Sequence, residues 1–278
     1  MQHDRILIFE FFVLFLRIMK LLFPTINFKH LLLGVLPVAL MGCGTGSQLV
    51  GGQHVVSVHN VAAAGHRVTI VKPTQQASIK FVSHHQAGFV GAPSIGDTAI
   101  YLNVAAAFTR DIESLQVCGD HVVCGELIKG YDDVTATGHM LIIDDKVSIL
   151  PNSRLRESLR QAVAGKGYLF QQCHIVEDGQ GRVERIPQAI RERKAHIIYR
   201  AVCTLGDGSV AIVQGDEPMY CHEFIDALVH LGAQQALYLD MGTWAWGWLR
   251  EQGKPAQELA EHFFNTRFQS NWLQITTK

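Results

Sequence analysis

Hydrophobic and polar residues alternate in short runs along most of the chain from residue 54 onward, which predicts β-strands. The runs are rich in β-branched residues and end at glycine, aspartate or asparagine, which favour turns. Two of these turn signals, Asp144-Asp145-Lys146 and Gly206-Asp207-Gly208, predict hairpins. We expect strands at residues 54–58, 67–71, 79–83, 98–104, 125–130, 139–143, 147–150, 168–176, 196–205, 209–214, 236–239 and 271–276.

Three segments have helical periodicity instead, at residues 152–164, 220–231 and 258–264. The first two end at glycine, a residue that commonly terminates helices. Each places apolar residues three or four positions apart on one face: Leu155, Leu159 and Val163 in the first, and Phe224, Leu228 and Leu231 in the second. No repeat or low-complexity linker divides the chain. These patterns predict an α+β class: one domain with a mixed or largely antiparallel sheet and helices packed on its faces.

The N-terminus has the pattern of an exported protein. Apolar runs occupy residues 6–16 and 31–41, and the second is preceded by Lys29 and followed by Gly42. Leu40-Met41-Gly42-Cys43 resembles a bacterial lipobox, the signal for lipidation of the cysteine after cleavage. We therefore predict a leader over residues 1–43 with Cys43 lipidated, a tether over 44–53 and a domain over 54–278, anchored in the bacterial envelope at the periplasm or outer membrane. A plain secretory signal or a buried helix is the alternative.

Charge content indicates which partners the chain can bind, and cysteine content indicates which disulfides it can form. The 24 basic and 25 acidic residues are balanced and form no basic stripe, so nucleic acid is not expected as a partner. Six cysteines are present, and five are left if Cys43 carries lipid. Cys118 and Cys124 could close a small disulfide loop in an oxidising compartment. The alternative is that all five are buried thiols.

The strongest candidate for chemistry is the segment in which the apolar strand 236–239 runs directly into Asp240. The strand places a carboxylate at its end, and Gly242 lets the backbone of the next loop approach a ligand. Upstream, Asn103 lies within an apolar strand, where an unpaired amide would cost about 1–3 kcal/mol, so it must bond to a ligand or to neighbouring backbone. Gln171 presents the same choice.

The order of these residues resembles that of the phosphodiester glycosidase family. The resemblance rests on Asn103 to Phe108, on Gln171-Gln172 before Glu177-Asp178-Gly179, on Tyr199-Arg200-Ala201 before Asp207-Gly208, and most specifically on the helix, Leu231-Gly232-Ala233, and the strand ending in Leu239-Asp240. It spans roughly residues 54–248. The family motif Leu-Asp-Gly-Gly-Gly-Ser is altered here to Leu239-Asp240-Met241-Gly242-Thr243-Trp244, which indicates a subgroup with its own substrate.

The resemblance implies a hydrolase of phosphodiester-linked sugars, acting on polysaccharide or wall-polymer material, and assigns roles to individual residues. Arg200 would clamp the phosphate, since its guanidinium can bind bidentately, although an ordinary surface ion pair is the alternative. Asp240 would be an acid/base, a nucleophile or a ligand for a divalent cation, unless it only caps the following loop. We assign catalysis to Asp240, Arg200 and Asn103. We assign substrate binding to Gly242, Thr243, Trp244, Gln171 and Asp216.

Several alternatives stay open. A glycosidase normally uses two carboxylates, and the position of Asp216-Glu217 after a strand end favours this pair as the source of the second over Glu223, Asp132 and Asp133. Cleavage at carbon and cleavage at phosphorus are both compatible with the sequence, and no metal signature is present among the 14 histidines, although a divalent cation is possible. The alternative functions are a catalytically silent carbohydrate-binding surface lipoprotein on the same scaffold and a metal-dependent phosphodiesterase.

Overall fold

The computed structural model describes residues 54–110, 113–188, 191, 197–240, 246–259 and 269–278. These residues fall within a single compact unit, Gly51–Lys278. The predicted leader, tether and lipidated Cys43 lie outside the described residues. The strands in chain order are β1 Val56–Ala63, β2 His66–Pro73, β3 Ala77–Ser83, β4 Ile100–Ala105, β5 His121–Val123, β6 Glu126–Ile128, β7 Gly138–Ile143, β8 Lys146–Pro151, β9 Tyr168–Gln172, β10 His174–Glu177, β11 Gln180–Gly181, β12 Arg200–Leu205, β13 Val210–Gly215, β14 Ala233–Tyr238, β15 Gly247–Leu249, β16 Gln257–Glu258 and β17 Asn271–Thr277.

The strands form three sheets, and their pairings within the sheets are antiparallel. Sheet 1 has the order β1-β2-β13-β12-β14-β10-β11, sheet 2 has β16-β15-β4-β17-β3, and sheet 3 has β6-β5-β9-β7-β8. The central strands of sheet 1, β12 to β14, are buried on both faces, and their successive side chains point in opposite directions into two different cores. In β12, Val202 packs into a central core shared with sheets 2 and 3, whereas Ala201 packs into a second core on the outer face.

The predicted α+β class is wrong, because the described residues are 47% strand and 14% helix. The described residues contain two α-helices with defined bounds, α1 (Leu155–Ala164) and α2 (Cys221–His230). Two ten-residue helices do not form a layer on three sheets. A third helix was predicted at 258–264. Its first residue, Glu258, belongs to strand β16, and most of the remainder lies in residues 260–268, which are not described. The class was missed because short polar strands such as β11 and β16 form through pairing with neighbours, which overrides weak local preference.

Both predicted hairpins are confirmed. Strands β7 and β8 join through Asp144 and Asp145, whose φ angles of 49° and 59° suit a tight reverse turn, and β12 pairs with β13 around Gly206-Asp207-Gly208. The predicted strand 168–176 is divided at Cys173 into β9 of sheet 3 and β10 of sheet 1. That division makes the chain pass from one sheet to another next to the candidate site.

The predicted helix at 152–164 begins with a 3-10 turn, Asn152–Arg154, and continues as α1. Its buried residues are Ser158 and Ala162, and Val163 is exposed, so the predicted apolar face is only partly correct. Helix α2 buries Phe224 and Leu228 as predicted. No helix among the described residues has the length and apolar character that crossing a bilayer requires.

Candidate functional site

Arg200 begins β12 and is fully buried. Its register partner on β13 is Gln214, whose Oε1 accepts hydrogen bonds from Arg200 Nε (2.8 Å) and Nη2 (2.5 Å). Gln214 Nε2 in turn donates to the carbonyl of Leu259 (2.8 Å). Burial lowers the pKa of Arg200 to about 9, against the opposing influence of Tyr238 and Asp240. The guanidinium is therefore a buried cation at neutral pH, and the alternative of an ordinary surface ion pair is excluded.

Asp240 follows β14 and is 7% exposed. The backbone N–H of Leu239 donates to the carbonyl of Arg200 (2.9 Å), and the N–H of Asp240 donates to the carbonyl of Ala106 (3.0 Å). These bonds fix Asp240 where sheet 1 meets the residues that follow β4 in sheet 2. Asp240 also raises the pKa of Arg200, so the two side chains interact electrostatically. The structure therefore brings the predicted cation and carboxylate together.

Asn103 lies in β4 and is fully buried. Its Oδ1 accepts a hydrogen bond from Nε2 of Gln274 on β17 (2.9 Å), and its Nδ2 has no hydrogen-bond partner among the described residues. Its register partner on β15 is Trp248, which is also fully buried. No described hydrogen bond joins Asn103 to Arg200 or Asp240. Asn103 is linked to them through the backbone: Ala106, three residues further along the chain, accepts the hydrogen bond from the N–H of Asp240.

Gln171 lies in β9 of sheet 3, whereas Arg200 lies in β12 of sheet 1. Gln171 Nε2 donates to the carbonyl of Asp120 (2.9 Å), and its Oε1 accepts from Asn152 (3.2 Å). Gly119 has a φ of 72°, and a Cβ there would collide with the Gln171 side chain, so the close packing requires glycine. Gln171 lines a cavity of about 280 Å³, whose other lining residues are Gly119, Asp120, Asp132, Asp133, Val134, Ala136, Asn152 and Leu155.

Asp216 is exposed just after β13. Its Oδ1 accepts a hydrogen bond from Thr69 on β2 (2.6 Å), and it does not line the cavity. It lies two residues beyond Gln214 and has no described contact with Arg200, so its assignment to substrate binding stays a prediction.

Gly242, Thr243 and Trp244 lie outside the described residues. Trp246 is described, and its ring centre is 4.8 Å from that of Trp248.

Sequence reasoning did not place a buried thiol near Asp240. Cys118 is fully buried, and its pKa is raised to about 12 by burial and by the charges of Asp133 and Asp240, with a hydrogen bond from Tyr131 acting in the opposite direction. Burial also raises the pKa of Cys173, with a further contribution from Cys118. These thiols are therefore protonated and unreactive at neutral pH. The only available signal was the apolar surroundings of each cysteine in the sequence.

The five described cysteines are free, so the predicted Cys118–Cys124 disulfide is wrong. Four of them are buried and Cys124 is exposed, so the alternative of five buried thiols is also not fully correct. No group of three His, Cys, Asp or Glu side chains among the described residues is placed to hold a metal ion. The described histidines near the site instead bond to polar neighbours: His174 Nε2 lies 2.8 Å from Gln235 Oε1, and His121 Nε2 lies 3.0 Å from Ser83 Oγ.

Comparisons with known proteins give the fold. No protein-family model matches the chain, and no curated protein matches its sequence. Among solved structures, the catalytic domain of zebrafish N-acetylglucosamine-1-phosphodiester alpha-N-acetylglucosaminidase, auto-inhibited by its pro-peptide, superposes with a TM-score of 0.53 at 12% identity, over 84% of this chain and 87% of that one. The chain has a fold related to that domain.

Two further matches are weaker. A hypothetical protein from Synechocystis matches with a TM-score of 0.46 at 12% identity, over 80% of this chain and 62% of that one. An exported protein from Burkholderia pseudomallei matches with a TM-score of 0.30 at 12% identity, over 81% of this chain and 58% of that one.

Proposed function

We propose that the chain is a hydrolase of phosphodiester-linked sugars of the N-acetylglucosamine-1-phosphodiester type. The observation that carries the proposal is the pairing of buried Arg200 with Asp240 at adjoining ends of β12 and β14. The fold likeness supports it, because the zebrafish domain is named for hydrolysis of such a diester. The sequence resemblance supports it independently, through the same two residues.

The chemistry suits cleavage of the bond between the anomeric carbon and oxygen. A phosphodiester carries one negative charge, and its phosphate acquires a second when that bond breaks. A buried guanidinium stabilises the developing charge more strongly than it would in water, because the surrounding dielectric is low. Asp240 would act on the sugar side, as nucleophile, as acid/base or by stabilising the positive charge on the anomeric carbon. The proposal therefore divides the work between Arg200 and Asp240.

Turnover of a defined substrate tests this proposal. The chain from Ser47 onward would be incubated with an N-acetylglucosamine-1-phosphodiester, and free sugar and sugar phosphate would be measured separately. Wild-type protein should release free sugar, and Asp240→Asn and Arg200→Ala should both lose this release. A matched control is Arg185→Ala, because Arg185 pairs with Glu177 at 2.7 Å in sheet 1 and has no described contact with Arg200.

Each contrary outcome identifies a different function. Release of sugar-1-phosphate would move the chemistry to phosphorus and contradict cleavage at carbon. Binding of sugar without turnover would favour the silent carbohydrate-binding alternative. Turnover that is abolished by a chelator and restored by a divalent cation would favour the metal-dependent phosphodiesterase.

We propose in addition that the protein is anchored by lipid on Cys43 in the bacterial envelope, where polysaccharide or wall-polymer substrates are found. The support is the Leu40-Met41-Gly42-Cys43 motif alone. Cells expressing the full chain would be labelled with a clickable palmitate analogue and extracted with Triton X-114. Wild-type protein should carry label and enter the detergent phase, whereas Cys43→Ala should do neither. Equal labelling of both proteins would contradict the proposal.

A further inference from the structure

The proposed hydrolysis at carbon calls for a second carboxylate, and the structure separates the candidates. Asp216 bonds to Thr69 on sheet 1. Glu223 accepts a hydrogen bond from the backbone N–H of Tyr220 (2.6 Å) and so caps helix α2. Glu217 and Asp132 are exposed. Asp133 and its neighbour Asp132 both line the 280 Å³ cavity, but only Asp133 is half-buried there.

The Asp133 carboxylate is held by a local turn. Its Oδ1 accepts hydrogen bonds from the backbone N–H of Thr135 (2.8 Å) and from Thr135 Oγ1 (2.7 Å). This turn fixes one carboxylate oxygen within the segment that forms the cavity wall together with Gln171 and Asn152. The cavity therefore offers an open concave space, lined by polar groups, against a positioned carboxylate, which suits a sugar.

A short series of backbone hydrogen bonds connects the Asp133 segment with Asp240. Tyr131 brackets Cys118: its N–H donates to Val117 (3.1 Å), and its carbonyl accepts from Gly119 (2.8 Å). The N–H of Cys118 donates to Phe108 (2.8 Å), two residues beyond the Ala106 carbonyl that accepts the Asp240 bond.

The buried Cys118 thiol is consequently near both carboxylates, since Asp133 and Asp240 each raise its pKa. Asp240 also raises the pKa of Arg200. The site therefore has a phosphate end at Arg200 and Asp240 and an acidic end where Asp133 borders the cavity.

We infer that Asp133 is the second carboxylate of the site and acts as the general base toward water, an assignment that rests on the proposed function. Asp133 accepts a proton from water as the water oxygen bonds to the anomeric carbon. The bond from that carbon to the phosphate oxygen breaks, and its electron pair stays on the phosphate, whose added charge Arg200 balances. Asp240 faces the positive charge that develops at carbon, and the proton on Asp133 returns to solvent.

The test compares three variants with wild-type protein in the free-sugar assay. Asp133→Asn keeps the Oδ1 acceptor of the turn and removes the base. Asp133→Glu retains a carboxylate, displaced by one methylene. Asp207→Asn is the matched control, because Asp207 forms the same type of turn with Ser209 (2.9 and 2.6 Å) in the β12–β13 hairpin. Thermal unfolding of each variant reports whether the fold is retained.

We expect Asp133→Asn to lower kcat by about 10²–10⁴-fold while KM changes less than about threefold, because a general base acts in the chemical step. Asp133→Glu should retain part of this activity, and Asp207→Asn should match wild-type protein. If Asp133→Asn does not fold, the expected result is that folded Asp133→Glu lies below wild type in kcat and Asp207→Asn does not.

Two failures are distinguishable. If Asp240→Asn abolishes free-sugar release and the folded Asp133 variants turn over at the wild-type rate, the proposed function stands and the assignment of Asp133 is overturned. If wild-type protein releases no free sugar from the diester, the proposed function and the assignment of Asp133 fail together.

Discussion

The cationic end of the site and its acidic end are built in different ways. Arg200 projects from a central strand of sheet 1, is fully buried and is held by Gln214 on the next strand. Asp133 lies in a loop, is half-buried and borders an open cavity, where a two-residue turn fixes one of its oxygens. The position of Arg200 is therefore determined by pairing between strands, and that of Asp133 by hydrogen bonds within a local turn.

The Arg200 end of the site is therefore preorganised, whereas the end with the cavity can adapt to its ligand. A strand-held guanidinium in a dry environment needs no reorganisation when charge develops on a phosphate, so it suits the constant part of a substrate. A cavity bordered by a loop can accommodate the variable part, the sugar. The comparison predicts that changes at Arg200 and at the carboxylate of Asp133 mainly affect the chemical step, and that changes at the other side chains of the cavity wall mainly affect binding.

The largest effect is expected from Arg200→Lys. An ammonium group cannot bond to Gln214 and also present a bidentate fork to phosphate, so free-sugar release should fall about 10³-fold, equivalent to ~4 kcal/mol. Steady-state kinetics on the diester would measure the loss. Arg185→Lys, at the Glu177 pair, serves as control and should keep its rate. An Arg200→Lys variant with unchanged kcat would show that a simple positive charge is sufficient.

Acid should destabilise sheet 3, which borders the cavity, before sheet 1. Burial lowers the pKa of His121 and of His139, both in sheet 3, to about 4, so the folded state holds them neutral. The unfolded chain binds these protons below pH ~6.5, so stability is lost as pH falls from about 6.5 to 4, by about 3 kcal/mol for His121. Arg200, with a pKa of about 9, adds no pH dependence in this window.

Urea unfolding at pH 7 and pH 4 would measure this loss, and hydrogen exchange at pH 4.5 should show sheet 3 losing protection before sheet 1. His121→Gln should reduce the pH dependence, whereas the exposed His59→Gln should leave it unchanged. Equal loss of protection in both sheets would contradict the assignment of acid sensitivity to the cavity side.

A smaller effect is expected from Gln214→Leu. This change leaves the Nε and Nη2 of Arg200 without their described acceptor, which costs about 1–3 kcal/mol of stability. The guanidinium also loses its fixed orientation, so kcat should fall roughly tenfold with KM nearly constant. Urea unfolding and steady-state kinetics would measure the two effects. Gln234→Leu, at an exposed position in β14, is the control. An unchanged kcat would show that Gln214 does not position Arg200.

The smallest effect is expected from Gln171→Met in the cavity wall. The side chain keeps its approximate volume but loses its hydrogen bonds to Asp120 and Asn152. Each lost internal hydrogen bond should cost about 0.5–1.5 kcal/mol of stability, and because the cavity wall is then less well ordered, KM should rise roughly two- to tenfold while kcat is retained. Kinetics over a range of substrate concentrations would separate the two constants. A fall in kcat with constant KM would contradict a binding role and show that Gln171 acts in the chemical step.

Local sequence pattern predicted the two hairpins because their information is contained in a few adjacent residues. The turns at Asp144-Asp145 and Gly206-Asp207-Gly208 have the backbone preferences that reverse a strand, and the alternating runs beside them pair in the expected way. The division of 168–176 at Cys173 was not predictable in this way. Nothing in the local sequence distinguishes a strand that continues from one that changes sheet, since both halves are mostly buried and combine apolar with polar residues.

By itself the sequence determined the strands' approximate positions, the placement of Asp240 at a strand end and the candidacy of Arg200, because these depend on short-range periodicity and residue chemistry. Only the tertiary structure decided that Arg200 is a buried cation beside Asp240, that Asn103 bonds to Gln274, and that the class is mostly β. Only the structure also placed Asp133 and Asp240 around Cys118, although they are more than one hundred residues apart in the chain. Burial and pairing between distant strands are collective properties, and no local pattern encodes them.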